Sequence, residues 1–180
     1  MVEFSTILQF IQASGIIVGV AYYIMNIQNN QRNQQLTLET RQAQLLMQIY
    51  DKVNNKEFTQ DWAEINYFWK WKDSKEYWEK YGTNLEVYPK FQNVANTYEG
   101  IGFILQSKLV DPKLIYGILR NTPILIWEKF SPMIKEYSEK ADEPTLFPGF
   151  EFLYEELSKQ YELEHGHKFV HNIRLAEELR

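Results

Sequence analysis

The chain has 180 residues, a formal net charge of −5, no cysteine, and 44% hydrophobic and 16% aromatic residues. These figures exclude a disordered body, disulfides, thiolate metal sites and cysteine nucleophiles. An acidic balance without a basic stripe also argues against nucleic acid as a partner, because phosphate binding needs clustered Lys and Arg.

No ionisable side chain lies between Glu3 and Arg32, and the gap contains the apolar run Ile7–Met25. As a helix, the stretch from Phe4 to Gln31 would extend about 42 Å, longer than a ~30 Å hydrocarbon core. The expectation is one transmembrane helix over residues 4–27. A cleaved signal peptide fits less well, since no Lys or Arg precedes Ile7 and no small-x-small cleavage pattern follows the run. Gln9 and Gln12 are costly in hydrocarbon unless interfacial or paired, so a buried helix of the folded body is the competing reading. Arg32 and Arg41 flank only the C-terminal side. By the positive-inside rule this places the body in the cytoplasm, at the cell membrane, with Tyr22 and Tyr23 at the inner interface. Gly15-x-x-x-Gly19 would let two such helices approach closely as a homodimer, with Gln12 able to add an interhelical hydrogen bond. The bland alternative is that glycine is common in membrane helices and the spacing arises by chance.

Residues 28–35 read as a polar, amide-rich juxtamembrane link, and residues 36–164 as the helical domain. Whether the anchor runs unbroken into that domain is open from sequence. Leu38, Leu45, Leu46, Ile49, Tyr50 and Val53 fall on one helical arc. A coiled coil seeded on Leu38 and Leu45 fails at its next step, Lys52, so a single bundle helix is preferred.

An aromatic-dense stretch follows from Trp62 to Phe91. It reads as one helix over Thr59–Lys72 and a short one from Ser74, an N-cap candidate, to Tyr81, stopped by Gly82. Pro89 starts a helix reaching about Lys108, with Phe91, Val94, Ala95, Tyr98, Ile101, Gly102 and Leu105 on its inner face. Ile101–Leu105 is apolar all round, which predicts burial on every side. Asp111-Pro112, Thr122-Pro123 and Ser131-Pro132 each set a capping oxygen beside a proline suited to a first helical turn. Helices are expected from Pro112 and Pro123, with a kink at Pro132. Ile124–Trp127 is the expected centre of the core. Ala141–Gly149 reads as a loop, Phe150–Glu164 as a last helix packing Phe152, Leu153 and Leu157 inward, and 165–180 as a weakly structured tail. No segment alternates as a strand. The fold class is all-α: an N-terminal transmembrane helix followed by an irregular helical bundle.

Tyr98-Glu99-Gly100-Ile101-Gly102, then Leu109-Val110-Asp111 and Leu114, and later Trp127 with Pro132, resemble an uncharacterised family of small proteins. The likeness covers roughly residues 30–160. It implies an N-terminal membrane helix and a helical cytosolic domain, and brings no catalytic or binding residues with it.

Three constellations carry possible chemistry. His165, His167 and His171, beside Glu162 and Glu164, have metal-ligand side chains, but they lie in the tail without Cys or an H-E-x-x-H helix, so no metal site is assigned. The aromatics of 62–105 would cradle a ligand or rest on the membrane face; the bland reading is core packing. Their charges balance, Lys70, Lys72, Lys75, Lys80 and Lys90 against Asp61, Glu64, Asp73, Glu76, Glu79 and Glu86, as on an ion-paired surface. Glu99 beside the most apolar part of its helix would have a raised pKa if buried and act as a general acid or base; the bland reading is a helix-rim residue or an ion pair, with Arg120 the partner to test. No triad, phosphate loop or nucleotide fingerprint is present. The sequence therefore points to a membrane-anchored, non-enzymatic protein-interaction module without a cofactor. The rival reading is a small membrane-associated enzyme or receptor with a pocket among the aromatics.

Overall fold

The computed structural model describes residues 4–142 and 146–170, and for residues 4–11 and 13 the backbone alone. Every regular element among the described residues is helical. The chain divides into two compact units, residues 1–44 and 45–180.

The first unit is helical throughout its described length. It belongs to α1, which runs unbroken from Phe4 to Asn54. The amide-rich segment 28–35, expected as a link, is therefore helical. The reason is local: Gln35 donates to Glu39 (3.0 Å), and Thr37 and Thr40 each return their hydroxyls to the carbonyl four residues back, at 2.8 Å. These polar side chains thus bond along the helix instead of breaking it. Among the described residues, no helix is long and apolar enough to cross a membrane. The expected span over 4–27 lies partly outside the described side chains, which begin beyond its first third.

In the second unit the last turns of α1 are followed by α2 (Lys56–Ala63), which continues as a π-helical turn over Glu64–Phe68. This aromatic helix ends at Phe68, earlier than its expected end at Lys72. Next come α3 (Ser74–Tyr77), again prolonged by a π turn, Trp78–Gly82, and α4 (Tyr88–Gln106). Then follow α5 (Pro112–Leu119), α6 (Thr122–Ala141) and α7 (Pro148–His165). The cap of α3 is Asp73, which accepts from the Glu76 N–H, in place of Ser74. Asp111 caps α5 as expected, accepting from the Lys113 N–H at 2.7 Å. Thr122 does not cap α6: it is the first helical residue, and its hydroxyl donates to the Leu119 carbonyl. α6 passes through Pro132 without ending.

The inner face of α4 is the one read from sequence: Phe91, Val94, Ala95, Tyr98, Ile101, Gly102 and Leu105 are all buried. Ile101–Leu105 is not buried on every side, however, since Phe103 is 47% exposed. Ile124, Ile126 and Trp127 are core residues, as are Phe150, Leu153 and Leu157 of α7. α4 and α7 form the most intimate pair, and two glycines explain it. A Cβ on Gly102 would sit 1.8 Å from the Gly149 carbonyl oxygen, and one on Gly149 would sit 2.5 Å from the Glu99 carbonyl oxygen. Only hydrogen at both positions lets the two backbones meet.

Candidate functional site

The aromatic stretch closes around a lysine that the sequence did not single out. The π turn after α2 ends in carbonyl groups that the helix itself cannot satisfy. Lys129, on α6, reaches them: its ammonium donates to the carbonyls of Ile65 (2.5 Å), Asn66 (2.8 Å) and Trp69 (2.9 Å). It also stands 5.2 Å from the Trp71 ring centroid and 5.7 Å from that of Phe130. Burial, with the charge of Lys70 adding to it, pulls its pKa down to about 7. The carbonyls, the helix C-terminus and the π faces favour the charged form and oppose that pull. All three ammonium hydrogens are engaged, so the group acts as a clamp and not as a free nucleophile.

Around the clamp the rings pack on one another. Trp69 stacks on Tyr81 with centroids 4.3 Å apart, and Phe130 meets Trp69, Trp71, Tyr77 and Phe91. The Tyr81 hydroxyl accepts from the Lys70 N–H. Outside lies an ion-paired surface, with Lys80 on Glu76, Lys75 on Glu79 and Lys90 on Glu64. The stretch is chiefly core, with a cavity beside Tyr77, Trp78, Tyr88 and Phe91 at its edge.

Glu99 is partly buried, but it does not meet Arg120. Its Oε2 accepts from the Phe150 N–H at 2.7 Å, in the first turn of α7. There a carboxylate satisfies an orphan donor and complements the helix dipole. Arg120 instead pairs with Glu164 at 3.5 Å, on the surface. The carboxylate chosen as a possible acid or base is thus a structural cap. Tyr98 and Trp127 flank the same joint, each with its ring centroid 5.0 Å from that of Phe150.

His165 closes α7, stacked on Tyr161, its Nδ1 donating to the Tyr161 carbonyl at 3.0 Å. His167 Nδ1 lies 2.9 Å from the Lys168 carbonyl. His171 lies outside the described residues. Among the described residues, no group of three His, Cys, Asp or Glu could hold a metal ion. Gly15 and Gly19 are exposed on α1, and nothing stands within 4 Å of a Cβ built on either.

Tyr98, Glu99, Gly102 and Trp127 meet the start of α7 in an all-helical domain, where they serve the crossing of α4 and α7. The chain belongs to the family described as Domain of unknown function (DUF4760), which matches residues 9–157. No curated protein and no solved structure matches the chain.

Proposed function

We propose that this is a membrane-tethered, non-enzymatic helical module that self-associates through α1 and presents its second unit to a protein partner in the cytoplasm. One observation carries the tether. Ile16, Ile17, Val18, Val20, Ile24 and Met25 are 48–69% exposed, and consecutive positions point about 100° apart around the helix axis. Over Ile16–Met25 the helix is apolar on all sides, and it is free of charge from Phe4 to Gln31; lipid surroundings would suit this stretch better than water. Arg32 and Arg41 support the cytoplasmic side for the remainder.

Self-association rests on spacing. Gly15, Gly19, Tyr22, Asn26, Asn29, Asn33, Leu36, Thr40 and Ala43 recur at alternating steps of four and three, and all are exposed. Such spacing lines these residues in a seam along one side of α1, where Gly15 and Gly19 would allow close approach and the asparagines would face their own copies in a parallel pair. A tether holds two copies parallel, the arrangement in which each seam residue meets itself. The tether is tested by washing native membranes with alkaline carbonate. The full-length chain stays in the pellet on this reading, and release into the supernatant overturns it.

A further inference from the structure

We propose that the cavity between α3, α4, α6 and the start of α7 binds an uncharged, flat, mainly aromatic small molecule with one hydrogen-bonding edge. The inference goes beyond the tether and the seam and does not depend on them, since every residue involved lies in the second unit.

The cavity measures about 470 Å³, within the ~300–1,000 Å³ typical of small-molecule sites. Its walls are rings (Tyr77, Trp78, Phe91, Phe130, Tyr137 and Phe147), with Met133 among the aliphatic side chains that complete them. The inner walls, Tyr77, Phe91 and Phe130, are 0–3% exposed and locked by contacts with one another. The outer wall is formed by Trp78 and Tyr137, whose rings lean together at 5.3 Å. The space is therefore bounded by rigid planes, which suit a flat guest better than a flexible chain.

Among the described residues, the lining includes no Lys, Arg, His, Asp or Glu. A carboxylate, phosphate or ammonium entering it would shed its hydration without a counter-charge, which selects a neutral guest. Two polar groups face each other on α4. Gln92 spends an amide N–H on the Tyr88 hydroxyl, at 2.5 Å, which leaves the Tyr88 O–H to donate and the Gln92 carbonyl oxygen to accept. A guest carrying a phenol-like or amide-like edge satisfies both.

Strain points to the same place. Phe147 holds φ +61° and ψ +55°, a left-handed conformation that costs a bulky residue about 1–3 kcal/mol. That conformation sets its ring edge-on to Phe91, with centroids 6.2 Å apart, as a wall of the cavity. Leu146 beside it is fixed by its N–H donating to the Ser138 hydroxyl. A strained aromatic pinned at a cavity wall is the arrangement expected of a ligand clamp.

The test is photolabelling of the full chain, in whatever membrane or detergent keeps it dispersed, with the neutral probe 3-trifluoromethyl-3-phenyldiazirine, followed by peptide mapping. Saturable labelling is expected on peptides holding Tyr77–Trp78 and Met133–Tyr137. It should be competed by 2-naphthol, and at least tenfold less well by 2-naphthoate or a naphthyl trimethylammonium. Met133→Trp, which fills the cavity, should abolish labelling there. Gln92→Leu should weaken competition by 2-naphthol roughly fivefold, the worth of one hydrogen bond, and leave competition by naphthalene unchanged. Labelling that is unsaturable or confined to α1 overturns the site. A charged competitor that outperforms 2-naphthol overturns the ligand class. Should Met133→Trp fail to fold, the competitor series with Gln92→Leu decides alone, and an unchanged response to 2-naphthol rejects the polar edge.

Discussion

At Gly102 a methyl group would stand 1.8 Å from the Gly149 carbonyl oxygen, with backbone on both sides and nothing flexible to yield. Gly102→Ala is therefore expected to force α4 and α7 apart and to lower stability by about 3 kcal/mol in urea unfolding. Gly100, two residues away on the same helix, would hold a methyl group with nothing within 4 Å of it and so supplies the control. There alanine should stabilise by roughly 0.5–1 kcal/mol, through helix propensity alone. Equal responses at the two positions would mean that the crossing does not depend on close backbone contact. Lys129 is the second residue-scale case. Lys129→Met keeps the apolar stem but leaves the carbonyls of Ile65, Asn66 and Trp69 without their donor. A loss of about 1–3 kcal/mol is expected, with hydrogen exchange accelerated first in the π turn over Glu64–Phe68. Nothing in the local sequence advertises this clamp beyond a lone cation in the apolar run around Trp127, since its partners lie some sixty positions away.

At the scale of the element, α1 offers the sharpest test, because a chain without cysteine accepts single reporters cleanly. Asn29→Cys places a thiol on the four-three seam, and Gln31→Cys places one on the opposite side of the same helix. In isolated membranes treated with a mild oxidant, the first should yield a disulfide-linked dimer and the second should not. A dimer from both, or from neither, removes the parallel seam. The elements themselves were largely legible. The inner face of α4 and the start of α5 follow from period and capping chemistry, because both are local rules. Legibility stopped where a choice depended on distant neighbours. Asp73 and Ser74 are both good caps, and the helix uses Asp73, whose carboxylate accepts from the Glu76 N–H. Glu99 reads as an acid or base, or as a rim or ion-pair residue, and becomes a cap only once α7 is folded against it. The cavity beside α3 was foreshadowed by aromatic density, but Gln92 and the left-handed Phe147 that give it character leave no mark in the pattern.

For the whole molecule, pH tests how the core is held. Tyr98 and Tyr77 are 1% and 2% exposed, in a chain with twelve tyrosines. Burial raises the pKa of both well above the ordinary phenol value; the neighbouring polar groups of Thr122 and Trp62 partly oppose this at Tyr98, and nearby Tyr88 reinforces it at Tyr77. The sign follows from proton counting. Above pH ~10 the unfolded chain loses two phenolic protons that the folded chain keeps, so stability falls as pH rises. Below pH ~10 both states hold these protons and the pair contributes no pH dependence. The expected slope is about −1.4 kcal/mol per pH unit for each tyrosine, and roughly twice that for both. Tyr116 and Tyr154, also raised by burial, add to the loss. Urea unfolding across this alkaline range should therefore show a steep fall in the natural chain, and a slope shallower by about 1.4 kcal/mol per pH unit in Tyr98→Phe. The slope is the quantity to read, because removing the hydroxyl also shifts the midpoint through its lost polar contacts. An undiminished slope in Tyr98→Phe would mean that Tyr98 ionises without opening the α4–α7 core, and that the two helices separate more readily than their glycine contact implies.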